Sequence, residues 1–338
     1  EVDLTTDYVK TNVEVVEAAE IARLPIRPRK ARMVVTSVAM GLLLGIALAF
    51  FFEYMDDTIK TPEDLEDRVG VPVLGFVPAM NTKGTAAESF AHRGMVSTLE
   101  PASSVTEAYR NIRTSLFFSA PPEEARVVVI TSGGPGDGKT TTAANLALVI
   151  AQSGKRVLLV DADFRRPMLH RLFGIRSRRG TSTVLVGEAS LEEAVRQPSN
   201  NGKPIDNLDV LIAGPKPPNP AELLDSERMR QLLEEARQKY DRVLVDTPPV
   251  LFVADASILG AISDGVIMVV KSAKNTRSLA TRAREQLEGV NARILGGILN
   301  DVRVSHLGYY YSDYYYHGYS RYYRDYDSSY YSGKSGGR

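Results

Sequence analysis

Short apolar runs alternate with amphipathic stretches over the second half of the chain. The predicted strands lie at residues 126–130, 157–160, 208–212, 242–245, 265–270 and 293–298. Predicted helices separate them, notably at residues 140–152, 221–239 and 277–287. Continuous apolar strands alternating with helices are typical of a parallel sheet that is covered on both faces. The pattern predicts an α/β fold with a mostly parallel sheet.

One uncharged stretch stands apart from this alternation. Residues 33–52 read MVVTSVAMGLLLGIALAFFF, and twenty helical residues span about 30 Å, the hydrocarbon thickness of a bilayer. The stretch therefore predicts a transmembrane helix. Basic residues precede it and acidic residues follow it, so the positive-inside rule alone places its N-terminal side in the cytoplasm.

The remaining segments are simpler. Thr61-Pro62-Glu63 has the composition of a helix start, and the Gly-, Ala- and Ser-rich residues 81–101 indicate a linker. We divide the chain into an end that we expect to be extracytoplasmic despite this charge bias (1–32), a transmembrane helix (33–52), a juxtamembrane segment with linker (53–103), an α/β domain (104–308) and a tail (309–338).

Composition excludes several classes of function. Lys and Arg number 41 and so do Asp and Glu, which gives no support for a nucleic-acid partner. The chain has no cysteine, so disulfides, thiolate metal sites and cysteine nucleophiles are impossible. Its 4 histidines are scattered without a metal-binding spacing.

A glycine-rich motif follows the first strand of the predicted sheet. Residues 133–140 read GGPGDGKT and match the P-loop pattern GxxxxGK[ST]. Backbone N–H groups and the next helix N-terminus surround phosphate oxygens in such loops, the lysine reaches the β- and γ-phosphates, and the threonine hydroxyl binds Mg²⁺. The predicted ATP contacts are Gly133, Gly134, Pro135, Gly136, Asp137, Gly138, Lys139, Thr140 and Thr141.

Two other predicted strands end in aspartates. Residues 158–165 read LLVDADFR and residues 243–249 read VLVDTPP, which gives Asp161, Asp163 and Asp246. Taken singly, each aspartate is also compatible with a helix cap or a surface turn. Because ligands bind beyond the carboxyl ends of parallel strands, two such motifs favour a shared site, and carboxylates are suited to Mg²⁺.

The P-loop, φφφDxDxR and φφφD[TS]PP motifs together resemble the Walker A, A′ and B motifs of the bacterial tyrosine kinases of exopolysaccharide and capsule export. The resemblance covers nearly all of the chain, with residues up to 52 similar to the last span of a Wzz-type chain-length regulator. It implies ATP and Mg²⁺ as cofactors and Asp161 as general base or Mg²⁺-organising carboxylate. Asp163 and Asp246 would be the other carboxylates around Mg²⁺, and Asn300 matches an adenine-contacting position. Partition and septum-site ATPases carry a lysine where this chain has Gly134, and this difference favours the kinases.

Glu107, Arg110 and Arg113 fit the pattern ExxRxxR on nearly one face of a predicted helix. By spacing alone, a solvated face with an ion pair explains them. The resembled family uses this motif for contacts between kinase domains in a ring, which implies a homo-oligomer.

The tail is rich in tyrosine. Without context it is typical of a low-complexity, disordered segment, whereas the resemblance implies an autophosphorylated cluster. The predicted phosphate acceptors are Tyr309, Tyr310, Tyr311, Tyr314, Tyr315, Tyr316, Tyr319, Tyr322, Tyr323, Tyr326, Tyr330 and Tyr331.

Together with these features, the resemblance implies a tyrosine autokinase in the bacterial inner membrane, with Lys139, Asp161 and Asp163 as catalytic residues. Since ATP is cytoplasmic, we place the kinase domain in the cytoplasm against the charge bias of the span. The expected partners are further copies of the chain, the membrane, the polysaccharide polymerisation and export machinery, and a cognate tyrosine phosphatase. The alternative is a co-polymerase scaffold that binds or hydrolyses ATP without phosphorylating tyrosine.

Overall fold

The computed structural model describes residues 29–80, 85–121 and 124–303. These residues belong to two units, one ending at Asp56 and one beginning at Asp57. The predictions for the N-terminal 28 residues and for the tail tyrosines lie outside the described residues.

The first unit contains one helix, α1 (Lys30–Met55). Its apolar side chains are exposed throughout, and its length and composition suit a membrane span. It extends three residues beyond the predicted span at each end, because charged residues at helix ends can still be helical. The helix is consistent with membrane anchoring.

The second unit is built on a seven-stranded sheet in the order β1-β9-β8-β2-β7-β3-β6. Every neighbouring pair in it is parallel, which agrees with the predicted fold class. The strands are β1 (Val73–Pro78), β2 (Val127–Ser132), β3 (Val157–Asp161), β6 (Leu208–Leu211), β7 (Arg242–Asp246), β8 (Gly265–Lys271) and β9 (Ile294–Val302). A separate antiparallel hairpin pairs β4 (Ser199–Asn200) with β5 (Lys203–Pro204).

Helices cover both faces of this sheet. One face packs against α2 (Ala86–Gly94), α3 (Val96–Leu99), α4 (Ser104–Ser119), α5 (Lys139–Ala151) and α6 (Leu169–Leu172). The other packs against a π-helical segment (Asp64–Val69), α7 (Thr181–Leu185), α8 (Leu191–Ala194), α9 (Pro220–Leu224), α10 (Glu227–Lys239), α11 (Asp255–Ile262) and α12 (Arg277–Glu288). Two apolar cores therefore enclose the sheet, whose central strands are buried on both faces.

The structure corrects three details of the prediction. Part of the expected linker is helical, since α2 and α3 occupy it; Thr85 and Glu88 form a reciprocal capping box at the start of α2. The helix expected at 221–239 is interrupted, because the Ser226 hydroxyl accepts a hydrogen bond from Met229 N and starts a new helix there. Residues 73–78, which the sequence analysis assigned to the juxtamembrane segment, form β1 and extend the sheet beside β9.

Candidate active site

The P-loop connects β2 to α5 in a conformation that needs glycine. Gly136 and Gly138 have φ angles of 75° and 97°, in the left-handed region that other residues rarely adopt. A Cβ on Gly138 would also collide with the side-chain amide of Asn300. The glycines therefore let backbone N–H groups curve around the position of a phosphate.

A buried carboxylate, Asp137, fixes the shape of this loop from inside. Its oxygens accept hydrogen bonds from Gly134 N, Asn275 Nδ2 and Lys274 Nζ, each at 2.9 Å. Lys274 Nζ also donates to Pro135 O at 2.6 Å. The sequence predicted Asp137 as an ATP contact, not as an internal support of the loop, and it did not indicate Lys274 or Asn275. Their signal was their position directly after β8, at the same edge of the sheet.

The segment that supplies Lys274 and Asn275 is itself bound to the residues just before the π-helical segment. Ile59 N donates to Asn275 O at 2.9 Å, and Ala273 N donates to Ile59 O at 2.8 Å. Arg277 N donates to Asp57 O at 2.9 Å. The juxtamembrane residues are thus connected to the P-loop through one intermediate loop.

Lys139 lies among the three aspartates that the sequence predicted. Its Nζ donates to Asp163 Oδ2 at 3.1 Å. Burial opposes its charge, but Asp246, Asp163 and Asp161 outweigh that effect, so the pKa of Lys139 is raised. The lysine is therefore charged at neutral pH and held at the mouth of the P-loop.

Asp161, at the end of β3, binds backbone rather than side chains. Its Oδ2 accepts from Met168 N at 3.2 Å and Leu169 N at 3.1 Å, and its Oδ1 accepts from Asp163 N at 3.2 Å. Burial and the charge of Asp246 raise its pKa well above the usual range. These bonds hold the loop that carries Asp163 in place.

Asp246, at the end of β7, is the contrasting case. It is almost completely buried, and neither of its carboxylate oxygens has a hydrogen-bond partner among the described residues. Burial raises its pKa to about 6, against the opposing influence of Lys139 and the nearby Thr140 hydroxyl. A buried carboxylate with unpaired oxygens is costly, so this side chain fits a cation or its water shell.

The oxygen donors at this site are of the kind that Mg²⁺ prefers. Among the described residues, no three His, Asp or Glu side chains are arranged as a metal-ligand set. Thr140, at the start of α5, provides a hydroxyl, and Asp246 provides the unpaired carboxylate. The assignment of all four predicted residues around Mg²⁺ remains a prediction.

A cavity of about 220 Å³ opens beside the P-loop. Gly136, Gly138, Thr141, Asn300 and Phe90 are among the residues that line it. Asn300 Nδ2 donates to Asp137 O at 2.8 Å, so this side chain contacts both the loop and the cavity. This cavity beside the P-loop is a candidate site for the nucleotide base, and the adenine contact of Asn300 stays a prediction.

The ExxRxxR residues lie on α4, away from this edge. Arg110 forms an ion pair with Glu107 on the same helix. Arg113 donates to Val149 O at 2.8 Å, near the end of α5; burial lowers its pKa. All three side chains thus have partners within one subunit, and their role in oligomerisation stays a prediction.

A parallel sheet with a glycine P-loop, and with a lysine surrounded by strand-end aspartates, defines a P-loop nucleotide-binding protein. Residues 125–287 match the protein family described as "AAA domain". The tyrosine-protein kinase YwqD of Bacillus subtilis (strain 168) is 46% identical over 221 residues, which are 64% of this chain and 91% of the relative. The chain belongs to the bacterial tyrosine-protein kinase family.

Two further comparisons agree with this assignment. The tyrosine-protein kinase etk of Escherichia coli (strain K12) is 34% identical over 304 residues, 86% of this chain; the chain spans only 41% of that relative's length. The solved kinase domain of the E. coli tyrosine kinase ETK superposes with a TM-score of 0.64 at 36% identity, covering 72% of this chain and 95% of the domain. The resemblance inferred from the motifs is confirmed.

Proposed function

We propose that this chain is a membrane-anchored autokinase that transfers the γ-phosphate of ATP to C-terminal tyrosines of a neighbouring subunit. The observation that carries the proposal is the cluster at the P-loop. There the charged Lys139 is bound to Asp163, beside Asp246 and its two unpaired oxygens.

In the proposed reaction, a tyrosine hydroxyl attacks the γ-phosphorus in line. The new O–P bond forms as the bond to the β,γ-bridging oxygen breaks, and ADP leaves. Lys139 binds the phosphate oxygens and stabilises their developing charge. Asp161 orients the loop that presents Asp163, and a carboxylate of this cluster accepts the phenolic proton. Mg²⁺, which Thr140 and Asp246 would hold, would neutralise part of the phosphate charge when bound.

The anchoring and assembly are parts of the same proposal. The apolar α1 supports attachment to the bacterial inner membrane, with the nucleotide-binding unit in the cytoplasm, where ATP is available. We further propose that neighbouring subunits form a ring through Glu107, Arg110 and Arg113. The proposed role is control of polysaccharide polymerisation and export, with a tyrosine phosphatase reversing the modification.

The ring can be tested through oligomer size. The triple variant Glu107→Ala/Arg110→Ala/Arg113→Ala is expected to dissociate the oligomer and slow transphosphorylation at least tenfold. The matched control is Glu227→Ala/Arg228→Ala/Arg230→Ala on α10, which removes the same charges from exposed positions. If both triple variants keep the same oligomer size, the motif does not form the ring.

The kinase activity is tested first by mapping phosphotyrosine on purified protein given Mg·ATP. We expect phosphate on residues 309–331, its loss in Lys139→Met, and its retention in Lys155→Met, an exposed lysine beyond α5. ATP turnover that persists without any phosphotyrosine, and that survives deletion of the tail, would instead favour the scaffold ATPase.

A further inference from the structure

A second cavity lies on the edge of the sheet that carries the P-loop, beyond the end of β6. Its volume is about 510 Å³, within the range of roughly 300–1,000 Å³ that is common for ligand pockets. Arg176, Arg178 and His170 line it together with the apolar Ile175 and Ile212. It therefore combines cationic groups with an apolar wall.

The segment that forms this cavity is strongly basic. Residues 165–179 contain six arginines, Arg165, Arg166, Arg171, Arg176, Arg178 and Arg179, and no Asp or Glu. Arg165 pairs with the buried Asp255 and Arg179 with Glu193. Within the described part of the chain, neither Arg176 nor Arg178 forms an ion pair. Two guanidinium groups at one cavity, without carboxylates to neutralise them, favour an anionic ligand, and arginine pairs readily with phosphate.

We propose that this cavity, formed around Arg176 and Arg178, binds phosphotyrosine of the C-terminal tail. The inference rests on the proposed kinase function, because it assigns a binding site to the product of that reaction. The guanidinium groups would bind the phosphate, and Ile175 and Ile212 would contact the aromatic ring of the phosphotyrosine. An isolated phosphate or a phosphoserine would leave that apolar wall without a partner.

The spacing of the two sites matches the spacing of tyrosines in the tail. In the strand order β2-β7-β3-β6, the P-loop strand and the cavity strand are three positions apart, or about 14 Å at roughly 4.8 Å per strand. Tyr319, Tyr322, Tyr326 and Tyr330 are separated by three or four residues, and each residue extends the chain by about 3.3 Å. Three or four extended residues reach about 10–13 Å, slightly less than the separation of the two strands, so a phosphotyrosine in the cavity would bring the next tyrosine into the region of the P-loop.

This arrangement gives the tail a reason to carry many closely spaced tyrosines. Once one tyrosine is phosphorylated, its retention raises the effective concentration of its neighbours at the active site. The last described strand, β9, also ends at this edge of the sheet, so Arg303, the last described residue, follows a strand that ends on the side where both sites lie. Phosphorylation of one tail would therefore proceed through several tyrosines before release.

Binding is tested on the full chain in detergent with Lys139→Met, which separates it from catalysis. The probe is a fluorescent peptide of residues 320–332, phosphorylated at Tyr326 or unmodified, followed by anisotropy. We expect the phosphorylated peptide to bind at least tenfold more tightly. Adding Arg176→Ala/Arg178→Ala should abolish this preference, whereas adding Arg166→Ala/Arg171→Ala, an equal loss of charge from the same segment, should preserve it.

Equal affinity for the phosphorylated and the unmodified peptide would overturn the proposal. So would an equal loss of the preference for the phosphorylated peptide in the two double-arginine variants. Equally tight binding of a peptide with phosphoserine at position 326 would also overturn it. Competition by inorganic phosphate at the peptide's own concentration would also overturn the proposal, since the aromatic ring of the phosphotyrosine would then contribute nothing to binding. Because every protein in this assay carries Lys139→Met, absence of kinase activity in the parent chain leaves the binding result interpretable.

A second readout uses the catalytically active chain. Intact mass measured over time should show multiply phosphorylated tails coexisting with unmodified tails. In Arg176→Ala/Arg178→Ala the addition of the later phosphates should slow at least threefold relative to the addition of the first. An unchanged ratio of these two rates would contradict the proposal.

Discussion

The nucleotide site and the basic cavity share one edge of the sheet but are built in opposite ways. At the nucleotide site, Asp161, Asp163 and Asp246 are buried, and the first two are oriented by backbone N–H groups. At the cavity, Arg176 and Arg178 are exposed. The fold itself thus orients the buried carboxylates, whereas the exposed arginines would be oriented by the ligand that they bind.

The largest effect is expected at the acidic site. Asp246→Asn removes the carboxylate whose oxygens are unpaired, and we expect kinase activity to fall about 10²- to 10³-fold. The same change should raise the melting temperature of the nucleotide-free protein by several degrees, because a buried charge is replaced by a neutral group. Activity assays and thermal scans on the same sample check both parts. A fall in both quantities would mean that Asp246 stabilises the fold.

The pH dependence of stability follows from the same group. The pKa of Asp246 is raised from 3.8 to about 6 in the folded protein, so between these values the folded state binds a proton that the unfolded state has lost. Stability contributed by this proton is complete below pH 3.8 and is lost as pH rises through 6, by an amount on the order of 3 kcal/mol. Denaturant unfolding without nucleotide, compared with Asp246→Asn, isolates this slope. If the free energy of unfolding depended on pH in the same way in the parent chain and in Asp246→Asn, the raised pKa of Asp246 would be contradicted.

A smaller effect is expected where a basic side chain supports the P-loop. Lys274→Met removes two hydrogen bonds to the loop but leaves Asp137 bound to Gly134 N and Asn275. We expect nucleotide affinity to weaken about tenfold, since roughly 1.4 kcal/mol is a tenfold change, with little change in melting temperature. Titration with a fluorescent nucleotide measures it, and Lys216→Met, at an exposed loop position, is the control. Equal affinities in the two variants would show that Lys274 does not shape the loop.

The smallest effect separates two arginines of the basic segment. Arg165 donates two hydrogen bonds of 3.1 Å to the fully buried Asp255, whereas Arg166 forms no ion pair among the described residues. Arg165→Ala should destabilise the protein by about 1–2 kcal/mol, a value reduced by the solvent exposure of the arginine, and Arg166→Ala by under about 0.5 kcal/mol. Urea unfolding measures both, and equal values would show that the pair contributes nothing.

The sequence predicted a region well where the residues that determine its structure are close together in the chain, and poorly where they are far apart. The P-loop and the two strand-end motifs were identifiable because each is a contiguous segment whose chemistry is fixed by its own strand and turn. Lys274 contacts Asp137 from 137 positions away, which local patterns do not reveal. The cavity residues were missed for the same reason, since its lining joins the segment after β3 to the end of β6.

The errors in the fold have a related cause. Residues 81–101 are rich in small residues, which suggested a linker, but their helices are stabilised by packing against α5 and by the cap at Thr85. That cap had a visible signal, a threonine followed three residues later by a glutamate. The role of β1 depends on pairing with β9, more than two hundred residues later in the chain, and no local signal specifies that pairing.

The unpaired carboxylate of Asp246 also bears on how long a molecule survives. A ligand that binds only the folded state stabilises it in proportion to the logarithm of its concentration. If Mg²⁺ binds at Asp246 as proposed, the folded state also gains a partner for a buried carboxylate whose oxygens have none among the described residues. We therefore expect nucleotide-free molecules to open more often and to be cleaved first by proteases that act on opened chains. The proposed site would thereby link the lifetime of the protein to the supply of magnesium and nucleotide.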